Sequence, residues 1–227
     1  MEIQYADLET CSTSTGLVVV VDVLRAFSTA AYALGGGAER VVPVGSIDEA
    51  LVLKRENPGW LACGEKNGLP HPGFDLCNSP TQLLEADLRG RTLVQRTSAG
   101  TQGVVRSVAA EKLVAASFVV AGATVRYIQG LAPEAVTFVI TGGSLDGGAE
   151  DLACAHYLEA CMKGMDPDPA PYLEQVRNAP DARPFLDPSR LAWPGSDLTY
   201  CTDLDRFDFA MPVSRVNGLH VIQILIV

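Results

Sequence analysis

The fold is decided by the stretch Val18-Val19-Val20-Val21-Asp22-Val23-Leu24-Arg25-Ala26-Phe27-Ser28-Thr29, in which four valines end at a carboxylate, a guanidinium and two hydroxyls. The valines predict a buried strand. Ligands of open α/β sheets collect outside the carboxyl ends of the strands, so Asp22 and Arg25 suit a metal ion and an anion. The structural alternative is that Asp22 caps the following helix and Arg25 lies in its solvated first turn.

Apolar runs rich in β-branched residues alternate along the chain with alanine-rich stretches that suit helices. This alternation predicts an α/β fold with three layers, α/β/α, and a mostly parallel sheet built from repeated βαβ units. Ser46 and Glu49 predict a capping box for a helix that ends near Asn57. The predicted strands are Leu17 to Val21, Val41 to Val44, Thr92 to Val94, Leu113 to Val120, Val136 to Ile140 and a last strand from His220 to Val227.

Two parts of the chain resemble each other at an offset of about seventy residues. In each part a strand leads to a turn with hydroxyl groups, a helix, an Ala-Glu-basic triplet and a second strand. We expect one domain over residues 1–227 with two βαβ units, at about 16–60 and 90–125, which are either duplicates or two instances of a common motif. A proline-rich segment, 166–195, is predicted to be a long ordered loop with one short helix around Pro171 to Arg177.

The net charge of −10, from 17 basic and 27 acidic residues, argues against nucleic acid or an anionic membrane surface as a partner, because both need a basic face. The N-terminal residues are acidic rather than basic, and the longest mainly apolar stretch, Leu113 to Ala123, is too short for a helix that crosses a bilayer. We therefore expect a cytoplasmic protein without a secretory signal. The six cysteines include no Cys-x-x-Cys pair and are expected to be reduced and structural.

A cradle for an oxyanion is predicted after the strand Thr92 to Val94, in the stretch Gln95-Arg96-Thr97-Ser98-Ala99-Gly100-Thr101-Gln102-Gly103. Glycine lets backbone N–H groups approach an anion closely, and the start of the following helix supplies unpaired donors. The Arg96 guanidinium can hold two oxygens of a phosphate or sulfonate. The alternative is a helix start capped by Thr or Ser, with a surface arginine.

Paired carboxylates, Glu150 and Asp151, begin a predicted helix after the strand Val136 to Ile140. Such a pair can bind Mg²⁺, or it can interact only with the positive end of the helix dipole.

The segment from Cys63 to Pro80 is predicted to be a long irregular binding loop. Its candidate functional residues are Glu65 as a general acid or base, Lys66 as a cation for phosphate, and Asn78 and Ser79 as hydrogen-bond donors.

Two classes of hydrolase with a similar first strand are disfavoured. Haloacid-dehalogenase-like phosphatases need a second aspartate two residues after the first, and Leu24 occupies that position. Isochorismatase-like hydrolases need a cysteine nucleophile after a later strand, and the corresponding stretch, 119–125, has none.

Several blocks, in order between about residues 16 and 160, resemble the 2-phosphosulfolactate phosphatase (ComB) family. The blocks are Val21-Asp22-Val23-Leu24-Arg25-Ala26-Phe27-Ser28-Thr29, Gly64-Glu65, Gly73-Phe74-Asp75 through Asn78-Ser79-Pro80, Gln95 to Gly103, and Thr141-Gly142 with Glu150-Asp151. The resemblance implies an α/β fold and a magnesium-dependent phosphatase. The implied reaction converts 2-phospho-3-sulfolactate to 3-sulfolactate and phosphate, a step of coenzyme M biosynthesis in methanogens.

With this resemblance, we expect Asp22 together with Glu150 or Asp151 to bind Mg²⁺. The expected catalytic residues are Asp22 and Glu65. Either water attacks directly with Glu65 as base, or Asp22 forms an aspartyl phosphate. The residues expected to bind the substrate are Arg25, Ser28, Thr29, Lys66, Asn78, Ser79, Arg96, Thr97, Ser98, Gly100 and Thr101.

Two other functions remain open at this point: a phosphatase for another small phosphorylated hydroxy acid, and an anion-binding module without turnover. The expected partner is a small anionic phosphoester. A homo-oligomer is a further expectation, because the strand from His220 to Val227 would offer a free edge for pairing.

Overall fold

Eleven strands of the computed structural model pair into one mixed sheet, and the structure describes residues 1–142 and 148–227. In chain order the strands are β1 (Glu2–Ala6), β2 (Leu17–Val21), β3 (Arg40–Pro43), β4 (Leu61–Lys66), β5 (Leu69–Pro70), β6 (Leu76–Cys77), β7 (Thr92–Arg96), β8 (Lys112–Ala116), β9 (Ala135–Ile140), β10 (Met211–Val216) and β11 (Leu219–Ile222). The helices are α1 (Ala26–Gly35), α2 (Ile47–Glu56), α3 (Pro80–Glu85), α4 (Gly100–Arg106), α5 (Ala121–Leu131), α6 (Ala149–Met162), α7 (Ala170–Asn178) and α8 (Gly195–Cys201).

The sheet consists of two parallel groups of strands joined by a hairpin. Strands β1, β9, β2 and β8 form the first group, and β3, β7, β4 and β6 form the second. The hairpin of β10 and β11 lies between the groups and pairs antiparallel with β8 on one side and with β3 on the other. Helices lie on both faces, so the predicted three-layer α/β class with a mostly parallel sheet is confirmed.

The two predicted repeats exchange their first strands. Although β2 precedes α1 and β3 in the chain, it lies between β8 of the second repeat and β9, which follows that repeat. In the same way, β7 precedes α4 and β8 but lies between β3 of the first repeat and β4, which follows that repeat. The strands of the two predicted βαβ units are therefore interleaved in the sheet.

This exchange brings together the polar turns that follow β2 and β7. The two parallel groups run in opposite directions along the sheet, yet Gln95 at the end of β7 donates a hydrogen bond from Nε2 to the Ala26 carbonyl, 2.8 Å away. The sheet therefore curves around α1 and α4. Strand residues of both groups, such as Val20 and Leu93, share one core with these helices.

The outer faces of the two groups are covered separately. Helices α5, α6 and α7 pack on the first group, where Phe138 is fully buried. Helix α2 packs on the second group, against Val42 and Val94. The predicted cap of α2 is confirmed, since the Ser46 hydroxyl accepts a hydrogen bond from the Glu49 N–H at 3.1 Å.

Two Asn-Gly pairs form tight turns in this fold. Asn67-Gly68 joins β4 to β5, and Asn217-Gly218 joins β10 to β11. All four residues have positive φ, which two-residue hairpin turns of type I′ require.

The prediction that the C-terminal strand has a free edge is wrong, because β11 lies inside the sheet between β10 and β3.

Several predicted boundaries also differ from the structure. Strand β8 ends at Ala116, and Phe118–Val120 forms a 3₁₀ turn. The segment predicted as an irregular loop from Cys63 to Pro80 contains the end of β4 together with β5 and β6. The proline-rich segment contains the predicted helix, α7, and also a 3₁₀ segment at Pro180–Leu186.

Among the described residues, no helix has the length and apolar character that crossing a membrane requires.

Candidate active site

A cavity of about 440 Å³ lies where the ends of β2, β4, β7 and β9 come together. Eight of the residues predicted from the sequence to form a site line it. They are Asp22, Arg25, Glu65, Asn78, Thr97, Ser98, Glu150 and Asp151.

The other predicted residues lie behind or beside this cavity. Ser28 and Thr29 point into the protein, where the Ser28 hydroxyl donates to the Val23 carbonyl at 2.8 Å and both side chains are fully buried. Lys66 is exposed to solvent at the end of β4. Arg96 donates from Nη1 to the Glu65 carbonyl at 2.9 Å and does not line the cavity.

Three further predicted residues support the cavity from behind. Ser79 caps α3 by accepting a hydrogen bond from the Gln82 N–H. Thr101 accepts a hydrogen bond from the Thr97 N–H at 2.9 Å and so fixes the turn after β7. Gly100 begins α4 so close to Asp22 that a Cβ atom there would lie 2.6 Å from Asp22 Oδ2.

Asp22 caps a helix, as one of the two alternatives from the sequence expects, and it also lines the cavity. Its Oδ1 accepts a hydrogen bond from the Ala26 N–H at 2.7 Å and so caps α1, while the carboxylate also lines the cavity. The Thr141 hydroxyl lies 3.3 Å from Oδ2. Burial raises the pKa of Asp22 to about 6, and the nearby charge of Glu65 adds to this, against the opposing effect of the Ala26 hydrogen bond.

Asp151 is bound on both oxygens by protein donors. Oδ1 accepts from the Val23 N–H at 2.7 Å, and Oδ2 accepts from the N–H and hydroxyl of Thr141, both at 3.2 Å. Burial raises its pKa well above the ordinary range, and the charges of Glu150 and Asp22 raise it further. The carboxylate thus joins the end of β2 to the end of β9.

Glu150 is the least satisfied of the carboxylates. It is 2% exposed, and its Oε2 is buried without a hydrogen-bond partner among the described residues. Burial raises the pKa of Glu150 to about 8, with smaller contributions from the charges of Asp181 and Asp22. A buried carboxylate oxygen without a partner is costly, so a cation or a proton is needed there.

Glu65 and Asn78 are held in place on the opposite side of the cavity. Both Glu65 oxygens accept hydrogen bonds: Oε1 from the Ser98 N–H, and Oε2 from the Gly68 N–H at 2.5 Å and the Ser98 hydroxyl at 3.0 Å. Asn78 accepts at Oδ1 from Gln95 Nε2, 3.3 Å away. The Asn67-Gly68 turn therefore does more than reverse the chain, because it also orients Glu65.

Arg25 is fixed by residues that the sequence did not single out. Its Nη1 pairs with Asp197 Oδ2 at 2.6 Å and donates to the Ala192 carbonyl at 3.1 Å. The guanidinium carbon lies 5.2 Å from the ring centre of Phe185. Phe185, Trp193 and Asp181 also line the cavity, and all come from the proline-rich segment. The sequence indicated a function for these residues only through the length of that segment, because long ordered loops often carry function.

The cavity is strongly acidic. Within residues 1–142 and 148–227, its lining has five carboxylates, from Asp22, Glu65, Glu150, Asp151 and Asp181, and one basic side chain, from Arg25. The sequence of 143–147 contains no lysine or arginine. No three His, Cys, Asp or Glu side chains in the described part are grouped closely enough to hold a metal ion on their own.

Comparisons with known proteins agree with the resemblance found in the sequence. A family model described as 2-phosphosulpholactate phosphatase matches residues 4–215. A Bacillus subtilis protein named "Probable 2-phosphosulfolactate phosphatase" is 30% identical over 210 residues, which cover 92% of each chain. A Thermotoga maritima protein of the same name is 35% identical over 214 residues, covering 90% of this chain and 91% of the relative. A Thermoplasma acidophilum relative, also so named, is 29% identical over 188 residues, covering 82% of this chain and 81% of its own.

Proposed function

Since the chain belongs to the 2-phosphosulfolactate phosphatase family, a family of phosphoric monoester hydrolases, we propose that it hydrolyses 2-phospho-3-sulfolactate to 3-sulfolactate and phosphate with the help of Mg²⁺. The observation that carries the proposal is the Oε2 of Glu150, which has no hydrogen-bond partner among the described residues and is buried in a cavity that Asp22 and Arg25 also line. This combination suits an anion that binds together with a cation.

The charge of the cavity is the reason for a cation. A phosphate ester carries about two negative charges near neutral pH and would meet five carboxylates and one arginine. Repulsion from the ionised carboxylates would oppose binding unless a cation or protons offset their charge, and burial already favours a proton on Glu150 and Asp151. A divalent cation would offset the negative charge around the substrate and would also give the buried Oε2 of Glu150 a partner.

The donors present fit Mg²⁺ better than they fit a metal held entirely by protein. Magnesium is usually bound through one or two carboxylates, with water and substrate phosphate completing its shell. Asp22 and Glu150 would hold it, because Glu150 Oε2 has no partner among the described residues and Asp22 Oδ2 has only the Thr141 hydroxyl 3.3 Å away. Asp151 accepts three hydrogen bonds of 2.7 to 3.2 Å from Val23 and Thr141. Bound there, Mg²⁺ would neutralise the phosphate and stabilise the leaving oxygen.

The remaining side chains bind and orient the ester. Arg25 has Nε and Nη2 free of hydrogen bonds to the described residues and pairs with an anionic oxygen of the substrate. Asn78 lines the same cavity and provides further donors from its side-chain amide nitrogen, whereas the N–H and hydroxyl of Ser98 already donate to Glu65. Phe185 and Trp193 close one side and reduce the access of water to the reacting phosphate.

Two routes for the chemical step follow from the positions of Asp22 and Glu65. In one, Glu65 takes the proton of a water that attacks phosphorus, and the P–O bond to sulfolactate breaks. In the other, the Asp22 carboxylate attacks phosphorus and displaces the sulfolactate oxygen, and water then hydrolyses the aspartyl phosphate to release phosphate. Rapid acid quench of a single turnover distinguishes them. Phosphate retained on the protein supports the covalent route, and its absence at every time point supports direct attack by water.

The proposal is tested by measuring phosphate release from a panel of small phosphoesters, each with Mg²⁺ and with EDTA. We expect release from 2-phospho-3-sulfolactate that depends on Mg²⁺. The second candidate, a phosphatase for a hydroxy acid with fewer anionic groups, draws support from the position of Lys66 and Arg96 outside the cavity. Faster turnover of phospholactate would favour this candidate. No release from any ester would contradict both and favour an anion-binding module.

A further inference from the structure

Arg25 is held by a network that connects three separate parts of the chain. One end of the network is the ion pair between Arg25 Nη1 and Asp197 Oδ2, with a separation of 2.6 Å. The Arg25 side chain is 4% exposed, and that of Asp197 is completely buried. The ring of Phe185 lies against the guanidinium, and the Ala192 carbonyl accepts a second hydrogen bond from Nη1.

The second oxygen of Asp197 is fully occupied by donors from the start of α3. Oδ1 accepts from the Ser79 hydroxyl at 2.9 Å, from the Thr81 hydroxyl at 2.7 Å and from the Thr81 N–H at 2.9 Å. A buried carboxylate with this many donors is held in one orientation. Asp197 therefore holds Oδ2 in a fixed position for its ion pair with Arg25.

The pairing restricts what Arg25 can do. A guanidinium is planar, so fixing Nη1 on Asp197 and one face on Phe185 also fixes the directions of Nε and Nη2. These two nitrogens have no hydrogen-bond partner within the described ranges, and Arg25 lines the cavity. An arginine with two free, parallel donors is the usual means of binding two oxygens of one anion.

We propose that Asp197 is a positioning residue, which acts on the phosphoester only by holding Arg25 in the orientation that binds an anionic oxygen pair. The identity of the ligand rests on the proposed function, whereas the positioning rests on the network itself. Ser79, which the sequence predicted as a substrate-binding residue, acts in this account one step further away, through Asp197.

A purely structural role for the ion pair is the competing explanation. Buried ion pairs contribute little net stability, because the cost of removing both charges from water offsets their attraction. A structural role predicts that replacing Asp197 lowers stability without changing how strongly a given anion binds. A positioning role predicts a change in anion affinity that requires Arg25.

The test compares Asp197→Asn, Arg25→Gln and the double variant, with Asp203→Asn as a matched control near the end of α8 and exposed to solvent. The first measurement is the Kd of inorganic phosphate in the presence of Mg²⁺ by calorimetry. The second is the separation of KM from kcat for 2-phospho-3-sulfolactate. Thermal unfolding of each variant reports whether the fold is retained.

We expect Asp197→Asn to raise both the Kd of phosphate and the KM about tenfold, with a change in kcat of less than about threefold. In the Arg25→Gln background, Asp197→Asn should change Kd by less than about twofold, because the group it positions is already absent. Equal effects of Asp197→Asn in both backgrounds, or a lower Tm with unchanged Kd, would overturn the inference.

The Kd of inorganic phosphate, measured by calorimetry, tests the positioning role of Asp197 independently of the proposed reaction. If no phosphoester is hydrolysed but phosphate binding depends on Arg25 and weakens in Asp197→Asn, the positioning role holds and the proposed reaction fails. If hydrolysis occurs but the Kd of phosphate is the same in wild type and Arg25→Gln, the positioning role fails and the reaction stands.

Discussion

The Oδ1 atom of Asp151 accepts a hydrogen bond from the Val23 N–H at 2.7 Å, across 128 residues of sequence. Val23 follows Asp22, and the other oxygen of Asp151 binds Thr141 at the end of β9. The placement of Asp22 in the cavity therefore depends on a carboxylate that begins α6. The sequence offered Asp151 as an alternative to Glu150 for the metal, and we now propose that its main task is to hold two strand ends together.

Replacing Asp151 with alanine is expected to destabilise the protein by roughly 3 kcal/mol, because the buried N–H groups of Val23 and Thr141 lose their acceptor. For a chain of this length, that corresponds to a fall in Tm of about 10 °C, measured by scanning calorimetry. Asp151→Asn should lose less, since its amide oxygen still accepts a hydrogen bond. Asp166→Ala, at an exposed position, is the control and should leave Tm unchanged. Equal Tm values for Asp151→Ala and the control would contradict the assigned role.

The raised pKa of Glu150 predicts how the stability of the protein depends on pH after EDTA has removed metal ions. Burial raises its pKa from 4.5 to about 8, so the folded state binds a proton that the unfolded state releases above pH 4.5. This stabilisation is complete below pH 4.5 and is lost as the pH rises through about 8. Asp22, with its pKa raised from 3.8 to about 6, contributes in the same direction at lower pH.

The Tm of the metal-free protein is therefore expected to fall between pH 5 and pH 8.5. Glu150→Gln has no charge to bury, so its Tm at pH 8.5 should exceed that of wild type by roughly 5 °C or more, while the two should agree closely at pH 4.5. Thermal melts across this range provide the measurement. A Tm that rises with pH in wild type, or parallel curves for the two proteins, would show that Glu150 is not buried in this way.

Two helical glycines offer a matched pair for testing how closely α4 approaches Asp22. A Cβ atom at Gly100 would lie 2.6 Å from both Asp22 Oδ2 and the Cβ of Ala26, whereas one at Gly130 in α5 would meet nothing within 4 Å. We expect Gly100→Ala to reduce kcat/KM at least about tenfold, because Asp22 must shift. Gly130→Ala should keep full activity and gain up to about 1 kcal/mol of stability. Similar activities in the two variants would argue against a close contact between α4 and Asp22.

The sequence predicted most of what depends on local pattern. The valines of β2, the capped helix α2 and the polar turns after β2 and β7 all lie where the pattern placed them, because burial and capping act over a few residues. The Asn-Gly pairs at Asn67 and Asn217 are local hairpin signals of the same kind, and the structure has a tight turn at each.

What the sequence could not predict depends on contacts between distant residues. The exchange of β2 and β7 between the repeats is set by pairing across the whole sheet, and no local pattern encodes it. Arg25 and Arg96 follow strands with similar chemistry, but only Arg25 lines the cavity. The difference arises because Asp197 and Phe185, more than 150 residues away in the chain, hold Arg25 in place.

The most direct test of the central claim compares wild type with Asp22→Asn in Mg²⁺-dependent release of phosphate from 2-phospho-3-sulfolactate. Asparagine keeps the acceptor that caps α1 at the Ala26 N–H, so the fold should be retained. We predict that wild-type turnover requires Mg²⁺ and that Asp22→Asn reduces kcat about a thousandfold with Tm nearly unchanged. Turnover by wild type that persists in EDTA, or equal kcat values for the two proteins, would contradict a magnesium-dependent phosphatase centred on Asp22.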